Sequence, residues 1–123
     1  MPIPALVLKT GSILEFDTPE LCSILEAWND ESDPAISIAR ARVAPGVTTQ
    51  LHCLRAIDER YLVVVGKGLV RIGSLTLQWL GLGDIVIIPA GVAQQISNAG
   101  ETDLIFYCIC TPRFSPDCYE ALE

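Results

Sequence analysis

The sequence predicts an all-β domain, a sandwich or barrel assembled from short strands. Two observations lead there. Short runs of β-branched, aromatic and aliphatic residues recur at regular spacing, and nearly every run stops at a glycine or proline. A third observation is negative: no segment carries apolar residues at the 3.6-residue period of a long helix.

Taken in order, the segments before Ile36 carry the weakest signals. Ile13 to Phe16 and Cys22 to Trp28 are strand candidates, and Ala5 to Leu8 is a further apolar stretch. A helical turn fits Thr18 to Leu21, with Thr18 as cap and Pro19 in the first helical position. Asn29 to Pro34 reads as a loop. The segment Ile36 to Val43 alternates, with Ile36, Ile38, Arg40 and Arg42 on one face and Ser37, Ala39, Ala41 and Val43 on the other, and it ends at Pro45 and Gly46. Tyr61 to Val65, the turn Gly66 to Gly68, and Leu69 to Ile72 have the pattern of a hairpin. Leu75 to Leu80 gives the next strand. Gly81 to Asp84 then turns the chain into Ile85 to Ile88, which Pro89 and Gly91 terminate, and Leu104 to Cys110 is a last strand ended by Pro112.

A chain of 123 residues suits one domain, here 1–123. Half of it is hydrophobic and only 19% is charged, which excludes a disordered chain. No apolar run approaches the roughly 18 residues of a membrane span, and the start, Met1 to Pro4, lacks a basic region before an apolar one. A cytoplasmic protein is expected. The formal net charge is −7 and the eight basic residues are scattered, so neither nucleic acid nor an anionic membrane is an expected partner. The five cysteines are an odd number without CxxC spacing, which argues for reduced thiols rather than a disulfide framework or zinc ribbon. Cys108 and Cys110 share one strand face and read as small core residues, with redox or ligand roles as the minority reading.

Two spaced patterns stand out: Gly46-x5-His52-x-Leu54-x4-Glu59-x6-Gly66 and Gly83-x5-Pro89-x-Gly91-x2-Gln94-x3-Asn98. Together they resemble the two signature motifs of the cupin family. The resemblance covers about residues 36–112, with N-terminal strands over 5–28 and a tail over 113–123 that is similar to the ending of small bacterial single-domain cupins. It implies a double-stranded β-helix, the jelly-roll barrel, and normally a homodimer. The N-terminal apolar segments would contribute edges to that dimer. No helix-turn-helix extension or repeat is evident, so a fused regulator is not expected.

In cupins the first motif supplies two histidines and a glutamate and the second a third histidine, which hold a divalent metal inside the barrel. The resemblance therefore implies His52, Glu59 and Gln94 as the metal ligands of this chain, with Mn, Fe, Ni or Zn as the cofactor. Leu54 and Gln94 stand where the family has its second and third histidines, and His52 is the only histidine. Such a set has one nitrogen and two oxygens, weaker for late transition metals and better suited to harder ions such as Mn or Mg. Gln94 could equally hydrogen-bond a ligand or satisfy His52. Glu59 matches the family glutamate at the four-residue spacing and is preferred to Asp58, which fits the tolerated three-residue spacing.

Other polar groups are ligand candidates. Arg40 and Arg42, if turned inward, would select an anionic substrate; on the solvent face only their stems would pack. Tyr61 and Tyr107 could offer hydroxyls, or be ordinary core. The resulting expectation is a barrel that binds a small polar metabolite through His52, Gln94, Tyr61, Arg40 and Arg42, with or without a divalent metal. The alternative is a metal-dependent enzyme of the sugar isomerase, epimerase or dioxygenase kind. A purely structural protein would need Leu54 and other apolar side chains to fill the cavity.

Overall fold

The computed structural model describes residues 3–74 and 76–123. After a 3-10 turn at Thr10–Ser12 the chain forms β1 (Phe16–Asp17), β2 (Ser23–Trp28) and β3 (Ser37–Val43). Next come β4 (His52–Leu54), β5 (Asp58–Val65), β6 (Gly68–Ile72) and β7 (Gln78–Leu80). β8 (Ile85–Ile88), β9 (Gln94–Ser97), β10 (Leu104–Thr111) and β11 (Tyr119–Ala121) complete it. All pairings are antiparallel, in one six-stranded sheet ordered β1-β2-β3-β10-β5-β8 and one five-stranded sheet ordered β11-β4-β9-β6-β7. This is the jelly-roll double sheet that the strand spacing and the motifs predict.

The alternation read from the sequence becomes the inside and outside of the barrel. On β5, Glu59, Tyr61 and Val63 are buried while Arg60, Leu62 and Val64 lie between them on the other face. On β8, Val86 and Ile88 point inward and Ile85 and Ile87 are exposed. The main core joins both sheets through Val43, Val63, Val70, Ile88, Ile96, Leu104 and Phe106. A smaller cluster of Leu54, Ile57 and Cys110 packs against Phe114, Cys118 and Tyr119 of the C-terminal segment.

The hairpin expected over Tyr61 to Ile72 does not form. β5 pairs with β10 and β8, whereas β6 belongs to the other sheet and pairs with β9 and β7. The Gly66 turn is a corner between sheets. Gly66 has φ +81°, and a Cβ there would lie 2.6 Å from the carbonyl oxygen of Asp103, so only glycine fits where the corner meets the start of β10.

The early segments also differ from expectation. Ile13 to Phe16 yields only the two-residue β1, and Ala5 to Leu8 forms no strand. Thr18 to Leu21 is a tight turn, not a helical one: Thr18 Oγ1 donates to the carbonyl of Cys22 and Leu21 adopts φ +71°. Of the strand expected over Leu75 to Leu80, Gln78–Leu80 is formed and Leu75 lies outside the described residues.

Candidate functional site

Register across the six-stranded sheet sets the floor of the site. Ser37, Cys110, Glu59 and Ile88 are successive neighbours on β3, β10, β5 and β8, and Ala39, Cys108, Tyr61 and Val86 form the adjacent row. Small side chains at Ser37, Ala39 and Ala41 leave space above β3. The result is a cavity of about 360 Å³. The opposite wall comes from His52 and Leu54 of β4, the turn carrying Glu20, and the C-terminal segment carrying Phe114 and Tyr119. Its walls are mainly apolar, with few polar groups, as in small-molecule sites.

His52 is buried and held from three directions. Its ring stacks on Tyr119 with centroids 4.6 Å apart and planes 20° off parallel. Nδ1 lies 2.8 Å from the carbonyl oxygen of Gln50, which can only accept, so Nδ1 carries the hydrogen. Nε2 is thereby directed to Glu20, whose Oε2 is 3.7 Å away. The Tyr119 hydroxyl bonds Gln50 Oε1 at 2.6 Å, closing a small cluster around the imidazole.

Glu59 lies deeper. It is only 8% exposed, its Oε1 has no hydrogen-bond partner, and Cys110 Sγ is 3.8 Å from Oε2. Burial penalises its charge and pushes its pKa from 4.5 up to about 7; the neighbouring Gln94 amide opposes the shift and Glu20 adds to it. Gln94 is fully buried opposite His52 on β9, and its Oε1 accepts the Tyr61 hydroxyl. That bond turns Nε2 away from Tyr61 and leaves it without a partner within hydrogen-bond distance. The thiols of Cys108 and Cys110 border the same cavity, and desolvation raises both well above the ordinary thiol range. They are poor nucleophiles in this setting.

The site residues expected from the sequence separate into two groups. His52, Glu59 and Tyr61 line the cavity, and Gln94 sits behind Tyr61. Arg40 and Arg42 do not belong to the site. They project from the outer face of β3, where Glu15 Oε1 is 2.6 Å from Arg42 Nη2 and Glu15 Oε2 is 3.7 Å from Arg40 Nη2; Asp103 also lies 3.7 Å from Arg42. An inward arginine would have needed a buried carboxylate of its own, and β3 presents serine and alanine there instead. Tyr107 does not line the cavity either, whereas Phe106 and Cys108 beside it do.

The residues present do not build the family's metal centre. Leu54 fills the second ligand position with hydrocarbon and is 3% exposed in the smaller core cluster. The oxygen of Gln94 is already engaged by Tyr61. Among the described residues no three His, Cys, Asp or Glu side chains converge as a cation site. Glu20, Gln50 and Tyr119 were not anticipated. Glu20 carries no local signal, because it reaches the cavity only through the turn before β2. Tyr119 reaches it because β11 pairs with β4.

No protein-family model matches the sequence. An uncharacterized protein of Methanocaldococcus jannaschii is 31% identical over 87 residues, covering 71% of this chain and 69% of its own. Among solved structures, Pac13 of Streptomyces superposes with a TM-score of 0.81 at 15% identity, covering 98% of this chain and 92% of that one. A Thermotoga maritima protein described as a predicted oxalate decarboxylase superposes with a TM-score of 0.78 at 21% identity, over 87% of this chain and 99% of its own. At these identities the two structures speak to the fold alone.

Proposed function

We propose that the barrel of this chain, whose fold is that of the double-stranded β-helix structures it superposes on, is a pocket for a small metabolite, bound beside His52 and Glu59 without a metal centre. One observation carries the reading: an apolar cavity of about 360 Å³ onto which a small number of polar groups converge from different strands. Leu54 does not plug it, which argues against a purely structural barrel.

His52 and Glu59 supply the chemistry. The bond from Nδ1 to the carbonyl of Gln50 leaves Nε2, which faces Glu20, as the ring nitrogen that can take or give a proton. Glu59, with a pKa near 7, holds or releases a proton close to neutrality. The pocket is therefore equipped for binding and for proton transfer alone. The Pac13 structure is described as that of a nucleoside dehydratase, and an acid-base reaction of that broad kind is the form catalysis would take in this chain.

Five free cysteines fit a reducing, cytoplasmic setting. Homodimerisation belongs to the same proposal, with exposed apolar side chains such as Ile85 and Ile87 on the edge strand β8 available for it.

The test is mass spectrometry of protein purified without chelator or histidine tag, read for metal and for retained small molecules beside a His52→Ala variant. A retained metabolite lost in the variant, with metal far below stoichiometric, is the expected result. Near-stoichiometric metal that disappears in the variant would overturn it in favour of a metal-dependent isomerase, epimerase or dioxygenase.

A further inference from the structure

The cavity is short of positive charge. Three carboxylates border it, those of Glu20, Glu26 and Glu59, and among the described residues no lysine or arginine does. Among the described residues the only basic group on its wall is His52, already faced by Glu20 at 3.7 Å. Arg40 and Arg42, on a strand that forms part of the wall, are turned outward and matched by Glu15 and Asp103. An anionic ligand would meet three carboxylates and no counter-charge.

Glu59 makes the imbalance specific. It is more than nine-tenths buried, it lines the cavity, no cation lies against it, and its Oε1 is unpaired. A buried carboxylate oxygen without a partner is costly, and the cost is removed by a proton or by an arriving cation. The same cavity is lined by the rings of Phe16, Tyr61, Phe106, Phe114 and Tyr119. Aromatic faces attract organic cations, most strongly where water is excluded.

We propose that the natural ligand of this cavity is an organic cation, an amine or quaternary ammonium compound with an apolar or aromatic body, whose charge is met by Glu59 and Glu20. The inference rests on the reading of the barrel as a metabolite pocket and narrows it to one charge class. A metal ion is a poorer match to the same negative charge, since among the described residues no three His, Cys, Asp or Glu side chains converge and the walls are mainly apolar.

The experiment compares three probes of similar size by ligand-observed NMR titration: phenethylamine, 2-phenylethanol and 3-phenylpropionate, each against the wild-type protein and the Glu59→Gln and Glu20→Gln variants. Thermal melts of all three proteins establish that the variants are folded. The expected result is that the amine binds about tenfold or more tightly than the alcohol, as one charge-assisted contact provides, and that the propionate does not bind. In Glu59→Gln the amine should fall to the level of the alcohol, with a smaller loss in Glu20→Gln. Equal binding of amine and alcohol to the wild type would overturn the charge assignment and leave the pocket standing. Preference for the propionate would overturn it as well, and binding of none of the three would overturn the pocket itself. A melting shift with manganese chloride alone, absent in Glu59→Gln and unmatched by the amine, would assign the carboxylates to a metal instead.

Discussion

Glu59 is held where water cannot stabilise its charge, and stability should therefore depend on pH in an unusual direction. Its pKa is about 7 in the fold against an ordinary 4.5. Between those values the folded state binds more protons than the unfolded one, so stability falls as pH rises from about 4.5 to 7. The loss from this group is on the order of 3 kcal/mol. Facing it are Tyr61 from its own strand, Cys108 and Cys110 from β10, Gln94 from β9 and Glu20 from the turn before β2. The thiols and the phenol stay neutral throughout this window, and the difference between the wild type and Glu59→Gln isolates the part of the slope that belongs to this carboxyl. Denaturant melts of Glu59→Gln should show that slope flattened, and at pH 8 the variant should be the more stable protein. An unchanged slope would mean that Glu59 ionises freely. Tyr119 makes a second case. Tyr119→Ala removes the ring stacked on His52 and the bond to Gln50, and should cost about 2 to 3 kcal/mol. It should also weaken any ligand held beside the imidazole more than Tyr119→Phe does.

Corners and edges decide at the scale of elements. Local pattern alone predicts β5 and β6 as a hairpin, because strand, glycine-rich turn and strand follow in order. Their long-range partners prevent it: β10 and β8 occupy both edges of β5 within the six-stranded sheet. The corner depends on Gly66, where any Cβ would meet the Asp103 carbonyl. Gly66→Ala should destabilise the fold by about 2 kcal/mol or more, from the left-handed backbone and the clash together. A midpoint in urea equal to wild type would show that the corner relaxes freely. At the other end, β11 covers the edge of β4 and ties Leu122 N to Leu51 O and Arg55 N to Cys118 O. Truncation after Phe114 should abolish hydrogen-exchange protection at Arg55 and expose β4 as an unpaired edge. The same deletion removes Tyr119, so binding and protection should be lost together.

At the scale of the whole molecule, apolar side chains remain uncovered at several places, among them Ile85 and Ile87 on β8, Leu77, Trp79 and Leu82 around β7, and Leu6, Val7, Leu8 and Leu14 in the N-terminal segment. A chain with a net charge of −7 that still exposes them is expected to bury some of them against a second copy. Light scattering should give a dimer, and a monomer at micromolar concentration would remove that expectation. The all-β class and seven of the strands were legible in the sequence, because alternation and glycine or proline punctuation are local and act over a few residues, whereas the inward placement of His52 and Glu59 was implied by the resemblance of the two spaced motifs to those of cupins. Three things were decided only by tertiary structure: the splitting of the apparent hairpin between two sheets, the outward turn of Arg40 and Arg42, and the arrival of Glu20 and Tyr119 beside His52. Each depends on which distant strand supplies the partner and which face the sheet buries. Period-two alternation marks two faces without saying which is inside, and a turn or tail residue carries no mark of the cavity wall it will complete.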